Sequence, residues 1–462
     1  MKTLKPCLAA LLLLISNAVA SAASAAPGEN WPQWRGPLAN GISPAGKPPV
    51  EWSETKNIKW KAALPGRGMA TPTIWGDQLF VLTAVPFGEK REASAPTFRP
   101  GAPRKGGVDR TGGRRRGGRS GGFTMSQAPT QSHRFVTLAL DRNTGKTIWQ
   151  KTAREEFPHE GHHRDHGFAS SSPVTDGELL FAHFGSRGLY CYDLNGELKW
   201  DKDLGDMRTR AGFGEGVSPA LAGDRLIVNW DHEGQSFIVA LDKQTGREIW
   251  RKNRDEQTSW TTPFIVEIEG KKQAIVAGTK KTRSYDVESG EVVWEASGQT
   301  ANMIPTPVVG HGLVFLASGF RGNALQAIKL TAKGDVSGTG AIVWRHDRGT
   351  PYVPSTLLSG ERLYFLKGND AMISCFAAPT GKAHYEEERL EGLRGVYASP
   401  VGANGYVYIL GRQGASVVIK DSPELTIVGR NKLDDRFDAS PAIVGNHLYL
   451  RGHNNLYCIV EK

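Results

Sequence analysis

Between Gly167 and Trp200 the apolar positions come in four short bursts. Phe168–Val174, Leu179–Phe184, Leu189–Asp193 and Glu197–Trp200 either alternate apolar with polar residues or run through β-branched and aromatic ones. The gaps between them are Thr175-Asp176-Gly177, Gly185–Gly188 and Leu194-Asn195-Gly196, which supply the Asp, Asn and Gly that tight turns need. The pattern predicts four short antiparallel strands. A sheet this small with two apolar faces is not stable alone and must stack on copies of itself.

The copies are present. A Ser/Thr-Pro opening recurs at Thr71-Pro72, Ser172-Pro173, Ser218-Pro219, Thr262-Pro263, Thr306-Pro307, Ser399-Pro400 and Ser440-Pro441, with Ser355-Thr356 as a weaker form. These eight openings lie 101, 46, 44, 44, 49, 44 and 41 residues apart. A closing phrase recurs as Asp141...Gly145...Trp149, Asp193...Gly196...Trp200, Asp242...Gly246...Trp250 and Asp286...Gly290...Trp294, while Trp344 ends a lengthened copy and Tyr385 an eroded one. A period near 45 residues with four strands per period predicts an all-β, eight-bladed β-propeller of four-stranded antiparallel blades. Val50–Ala62 reads as a closing strand, with Trp60 at the repeat position and no opening strands before it, whereas Ala439–Val460 supplies three strands and no closing one. Pairing the N- and C-terminal strands completes the eighth blade and removes the free edges of the ring. In this arrangement Trp60, Trp149, Trp200, Trp250, Trp294 and Trp344 act as wedges between neighbouring blades.

The remaining segments depart from the repeat. Two lysines, the apolar run Leu8–Ile15 and Ala18-Val19-Ala20 read as a signal peptide over residues 1–26, cut between 20 and 26. Residues 27–49 form a Pro/Gly-rich arm, expected to lie as a strap with Trp31 and Trp34 in apolar pockets; residues 50–462 form the propeller. The first blade is interrupted by an insertion over 86–133 that carries ten basic and three acidic residues, so most of the formal charge of +10 sits there and the blades themselves are nearly neutral. Its Gly/Arg-rich centre, 101–122, reads as a disordered basic loop able to hold an anionic surface or polymer by charge alone, with no specific nucleic-acid binding. An exported protein, periplasmic or extracellular and soluble, with no transmembrane segment, is the expectation. Cys191, Cys375 and Cys458 fall at the same third-strand position of three different blades and read as small buried hydrophobes.

Candidate chemistry is sparse. His159, His162, His163 and His166, with Glu160 and Asp165 among them, make the one stretch that resembles a divalent metal site. Arg187, Arg210, Asp231, His232, Glu233, Arg321, Asn369, Asp370 and Arg412 fall in turns or at strand ends, where they could line a central funnel. No phosphate-binding glycine loop, HExxH or Gly-x-Ser-x-Gly is present.

The Asp-x-x-x-x-Gly-x-x-x-Trp closings and Ser-Pro openings resemble the repeats of the pyrroloquinoline-quinone-like (PQQ-like) propeller superfamily, which holds both quinoprotein dehydrogenases and the BamB-like proteins of outer-membrane assembly. Trp31-Pro32-Gln33-Trp34-Arg35-Gly36-Pro37 and Ala169–Gly177 look like secreted bacterial, BamB-like members. The dehydrogenase side of the resemblance implies adjacent cysteines forming a ring disulfide beside the quinone, and this chain has no Cys-Cys pair. The resemblance specifies the fold and says little about chemistry; the enlarged loops after Ala84 and Trp149 point to a noncatalytic scaffold binding a protein or glycan partner on a propeller face. No quinone is expected, and a divalent metal is the one cofactor the residues leave room for. The alternative is a quinone- or metal-dependent oxidoreductase, or another enzyme, with its site in the funnel.

Overall fold

In the computed structural model, residues 29–92 and 126–462 are described. The expected signal peptide and the Gly/Arg-rich stretch 101–122 lie outside the described residues. The chain forms eight four-stranded antiparallel blades, one carrying an extra fifth strand. The first blade is Thr73–Trp75, Gln78–Phe87, Ser132–Asp141 and Thr147–Glu156. The eighth is Ala442–Val444, His447–Arg451 and Asn455–Ile459, completed on its outer edge by Ile58–Ala63 from the other end of the chain, with Trp60 opposite Cys458. Closure by the two termini thus uses a shorter strand than the sequence suggested. Residues 50–57 instead run along the seventh blade, where Trp52 stacks on Tyr408 and its N–H donates to Asn431 Oδ1 at 2.7 Å.

The opening strands are also shorter than their apolar pattern predicts. In the second blade the first strand is only Val174–Thr175, not 168–174. The reason is a belt of hydrogen bonds that takes the backbone out of the sheet before the strand begins. The N–H of Thr71 donates to Ser172 Oγ at 3.0 Å, Ser172 to Ser218, Ser218 to Thr262, Thr262 to Thr306, Thr306 to Ser355, Ser355 to Ser399 and Ser399 to Ser440. Thr71 Oγ1 closes the circle on the Ser440 carbonyl at 3.1 Å. From the second blade to the eighth, the opening hydroxyl therefore accepts the N–H of the blade before it. In seven of the eight openings the following residue is proline, which lacks an N–H and leaves no donor to orphan.

At the rim the closing motif is likewise read across blades. The indole Nε1 of Trp149 donates to the Leu194 carbonyl of the next blade at 2.9 Å, and Trp60, Trp200, Trp250 and Trp344 make the same bond to Arg142, Lys243, Val287 and Ala378. Gly145, at φ +72°, lies flat against the Trp60 ring; a Cβ there would sit 2.7 Å from it. Trp294 differs because the next blade's turn is replaced by an excursion over 330–341, whose Gly334–Asp335 runs parallel to Val292–Ala296 as the fifth strand. Its indole is fully buried and its Nε1 has no partner among the described residues.

The insertion is ordered at both ends. The hairpin of the first blade runs out to Phe87 opposite Ser132, and Ser126–Gln127 pairs with His162–His163. Strand pairing thus reaches further into 86–133 than its bounds imply. No helix among the described residues is long and apolar enough to cross a membrane.

Candidate functional site

The eight inner strands surround a channel whose two ends are treated differently. Below the hydroxyl belt the arm crosses it. Trp31 bridges Ile74 of the first blade, the Thr175 N–H of the second blade donates to the Pro32 carbonyl, and Ser43 Oγ donates to the Ile443 carbonyl of the eighth. Between them Arg35, 1 % exposed, donates to the carbonyls of Pro400, Asn40 and Thr356 at 2.8, 2.7 and 2.6 Å. Burial without a carboxylate pushes its guanidinium down to about 9, still charged at neutral pH. The arm is a plug. Trp31 is buried as the sequence suggested, but Trp34 is only partly covered because its ring forms part of the wall of the space above.

That space is a cavity of about 1580 Å³, with Ser172, Ser218, Thr262, Ser399 and Ser440 of the belt in its wall. Its mouth is built from three segments off the first three blades. Ser126 Oγ donates to the Gly212 carbonyl at 2.8 Å, the His163 N–H to the Phe213 carbonyl at 3.0 Å, and the Trp260 indole to the Gly214 carbonyl at 2.7 Å. Glu160 accepts the Thr209 N–H at 2.9 Å and the Thr209 hydroxyl at 2.8 Å; burial raises its carboxyl above the ordinary range. Asp165 then meets Arg436 at 2.7 Å and Arg412 at 3.0 Å on the neighbouring eighth and seventh blades, with Tyr397 OH at 3.3 Å. Arg412 lies flat over the Tyr397 ring at 3.7 Å and also holds the buried Asp438, which His453 meets at 2.9 Å. This clasp fixes the loop after the first blade to the seventh and eighth.

The four histidines do not converge. His159 Nε2 meets the Met207 carbonyl at 2.8 Å; His162 packs edge-on against Phe168 and His163 against Phe213. His162 and His163 are neighbours on a short strand, so their side chains leave on opposite faces. His166 is set into the wall, where burial pushes its imidazole down to about 3. Among the described residues no group of three or more His, Cys, Asp or Glu is arranged to hold a metal ion.

The funnel residues divide. Arg210, Glu233, Arg321 and Asn369 line the cavity. The other five do not. Arg187 is buried beside Glu215 at 2.7 Å, with the rings of Phe135 and Phe168 against it. Asp231 is sealed in a pair with Arg254 at 2.7 Å, and His232 accepts the Arg208 N–H at Nδ1. Asp370 sits in an exposed turn at the end of the sixth blade's second strand, and Arg412 belongs to the clasp. Five further lining residues were not picked out from the sequence: Arg208, Trp260, Asn302, Phe320 and Tyr352. Asn302 and Arg321 hold left-handed backbones at φ 55° and 53°, a feature no local motif announces.

Against known proteins, the family model described as outer membrane protein assembly factor BamB matches residues 134–337. BamB of Yersinia pestis is 22 % identical over 335 residues, which is 69 % of this chain and 78 % of that relative. By these matches the chain is similar to BamB and to the PQQ-like β-propeller repeats, and the family model spans its second to fourth blades. The crystal structure of BamB from Moraxella catarrhalis shares its fold, with a TM-score of 0.50 and 15 % identity over 71 % of this chain and 93 % of that one. Quinohemoprotein alcohol dehydrogenase from Comamonas testosteroni aligns over 95 % of this chain and 82 % of its own with a TM-score of 0.48 and 15 % identity.

The cysteines of this BamB-like chain do not fit a quinone. Cys191, Cys375 and Cys458 are buried in separate blades opposite Trp200, Tyr385 and Trp60, and none lines the cavity. Burial pushes each thiol up to about 12. The ring disulfide that the dehydrogenase resemblance implies has no counterpart among them.

Proposed function

We propose that this BamB-like chain is an exported, periplasmic and noncatalytic scaffold that binds a protein partner at the capped face of its propeller. The observation that carries this reading is the asymmetry of the channel: one end is stoppered by the chain's own arm, while the other opens as a cavity with a hydrogen-bonded rim clasped by Asp165. Loops held on a rigid scaffold are the usual place for recognition. The cavity's buried carboxylate, Glu160, is occupied by Thr209, and the histidines of the rim are engaged one by one, which favours a receptor over a reaction centre. Relatives named as outer membrane protein assembly factors support both a protein partner and a location beyond the inner membrane.

The test is native mass spectrometry of the full exported protein, purified without affinity histidines after mild cross-linking in the producing cells, with elemental analysis and an absorption spectrum. The reading expects this chain alone and this chain joined to a second protein in integer ratio. A stoichiometric quinone or metal on the chain, with turnover of an oxidisable substrate, would replace the scaffold by an enzyme.

A further inference from the structure

The cavity carries guanidinium groups in its lining that no carboxylate among the described residues pairs with. Arg208, Arg210 and Arg321 line it, and none reaches a carboxylate among the described residues, whereas Arg164 on the same cavity lies 3.9 Å from Asp165. Guanidinium groups in proteins are usually spent on carboxylates, phosphates or carbonyls, as Arg35 is at the plugged end. Beside Arg321, Phe320 and Tyr352 stack at 5.0 Å and both line the cavity, with the Arg321 guanidinium 5.3 Å from the Phe320 ring centroid. Asn302 is 1 % exposed, its amide nitrogen 3.3 Å from the Tyr352 hydroxyl, and its Oδ1 has no hydrogen-bond donor. A buried acceptor left open costs stability unless something fills it. Ala211, Asn302 and Arg321 all hold left-handed backbones, at φ 54°, 55° and 53°, so strain gathers in this lining as well.

Open cations, an open buried acceptor and an apolar platform describe a complementary ligand. It brings carboxylates, at least one N–H donor and an apolar side chain. We propose that this lining binds an acidic peptide segment of the partner: its carboxylates pair with Arg210 and Arg321, a backbone N–H donates to Asn302 Oδ1, and an apolar side chain lies over Phe320 and Tyr352. The inference rests on the protein-binding reading above and names the chemistry of what is bound. Arginine clusters that read acidic motifs are a recurring mode of peptide recognition.

The experiment titrates the full chain into a short fluorescein-labelled peptide of glutamate, glycine and phenylalanine, and into its twin with glutamine at every glutamate, reading anisotropy at low and moderate salt. The acidic peptide binds at least about tenfold more tightly than its twin, and the margin narrows with salt. The double variant R210A/R321A loses that margin with an unchanged melting temperature, and R210K/R321K, which keeps the charge but not the bidentate fork, recovers only part of it. Equal affinity for the two peptides, or wild-type affinity in R210A/R321A, overturns the proposal. So does a uronic-acid oligosaccharide that displaces the peptide at lower concentration, since it would assign the lining to glycans. If R210A/R321A still forms the cross-linked protein complex at the wild-type yield, acid recognition falls while the scaffold stands; if the wild-type chain forms no such complex, the scaffold reading falls and this inference with it.

Discussion

Arginine does opposite work at the two ends of the channel. At the arm end Arg35 is buried, and three carbonyls from the arm and from the sixth and seventh blades take up its donors. At the cap end Arg210 and Arg321 line a cavity and form no salt bridge among the described residues, while its carboxylates Asp165 and Asp438 are paired in the clasp and Glu160 is held by Thr209. The same side chain closes one end and leaves the other ready for a ligand. The hydroxyl belt lies between, and it lets the ends differ because it holds the eight blades together independently of either. Closure and recognition can therefore be broken separately.

The largest effect is expected at the plug. Arg35→Ala takes the donor from three carbonyls, two of them buried, and opens a void beside Trp31, which should cost ~3–5 kcal/mol in denaturant unfolding. A loss below about 1 kcal/mol would mean that the arm merely lies on the ring. Next comes the clasp. Asp165→Ala removes the acceptor shared by Arg412 and Arg436, but both keep Asp438. The expected cost is about 1–2 kcal/mol, with faster amide exchange confined to 157–166. Exchange that speeds up evenly around the ring would show that the clasp is part of the global fold and not of the cap.

The smallest effect separates the ends by pH. His133, His162, His163 and His166 are all held below the ordinary imidazole range, chiefly by burial, and all belong to the cap end. Below pH 6.5 the unfolded chain takes up protons that these rings refuse when folded, so stability falls on acidification; for His166 the window runs from 6.5 down to about 3. Glu160, raised by burial, works weakly in the other direction. Amide protection factors, taken relative to the intrinsic exchange rate at each pH, should fall in the cap between pH 6.5 and 4 while those in the arm change little, and His166→Gln should flatten the slope. Cap protection factors that are identical at both pH values would contradict the burial of these rings.

The fold was legible in the sequence because its signals repeat. Thr71, Ser172, Ser218 and their equivalents mark each blade, and Trp60 without opening strands pointed to closure by the two termini. The bonding behind the marks was not visible: that Ser172 hands its N–H to Ser218, or that Gly145 lies under the Trp60 of another blade, depends on neighbours in space. The site was less legible. Arg210 and Arg321 were picked out as turn residues, yet so were Arg187 and Asp231, and only packing separates an arginine spent on Glu215 from one left open. How the histidine stretch is arranged was not visible in the sequence either, because closeness along a chain does not fix where imidazoles point once a strand sends neighbours to opposite faces.

The most direct test of the account places a photo-crosslinking amino acid at Gln257, on the cavity rim, and separately at Leu38, which stands 49 % exposed on the arm face. Each full-length protein is irradiated in its own cells. The account predicts a discrete protein adduct from Gln257 and none from Leu38. An adduct from Leu38 alone would put the partner on the plugged face and leave the cavity without the role given to it.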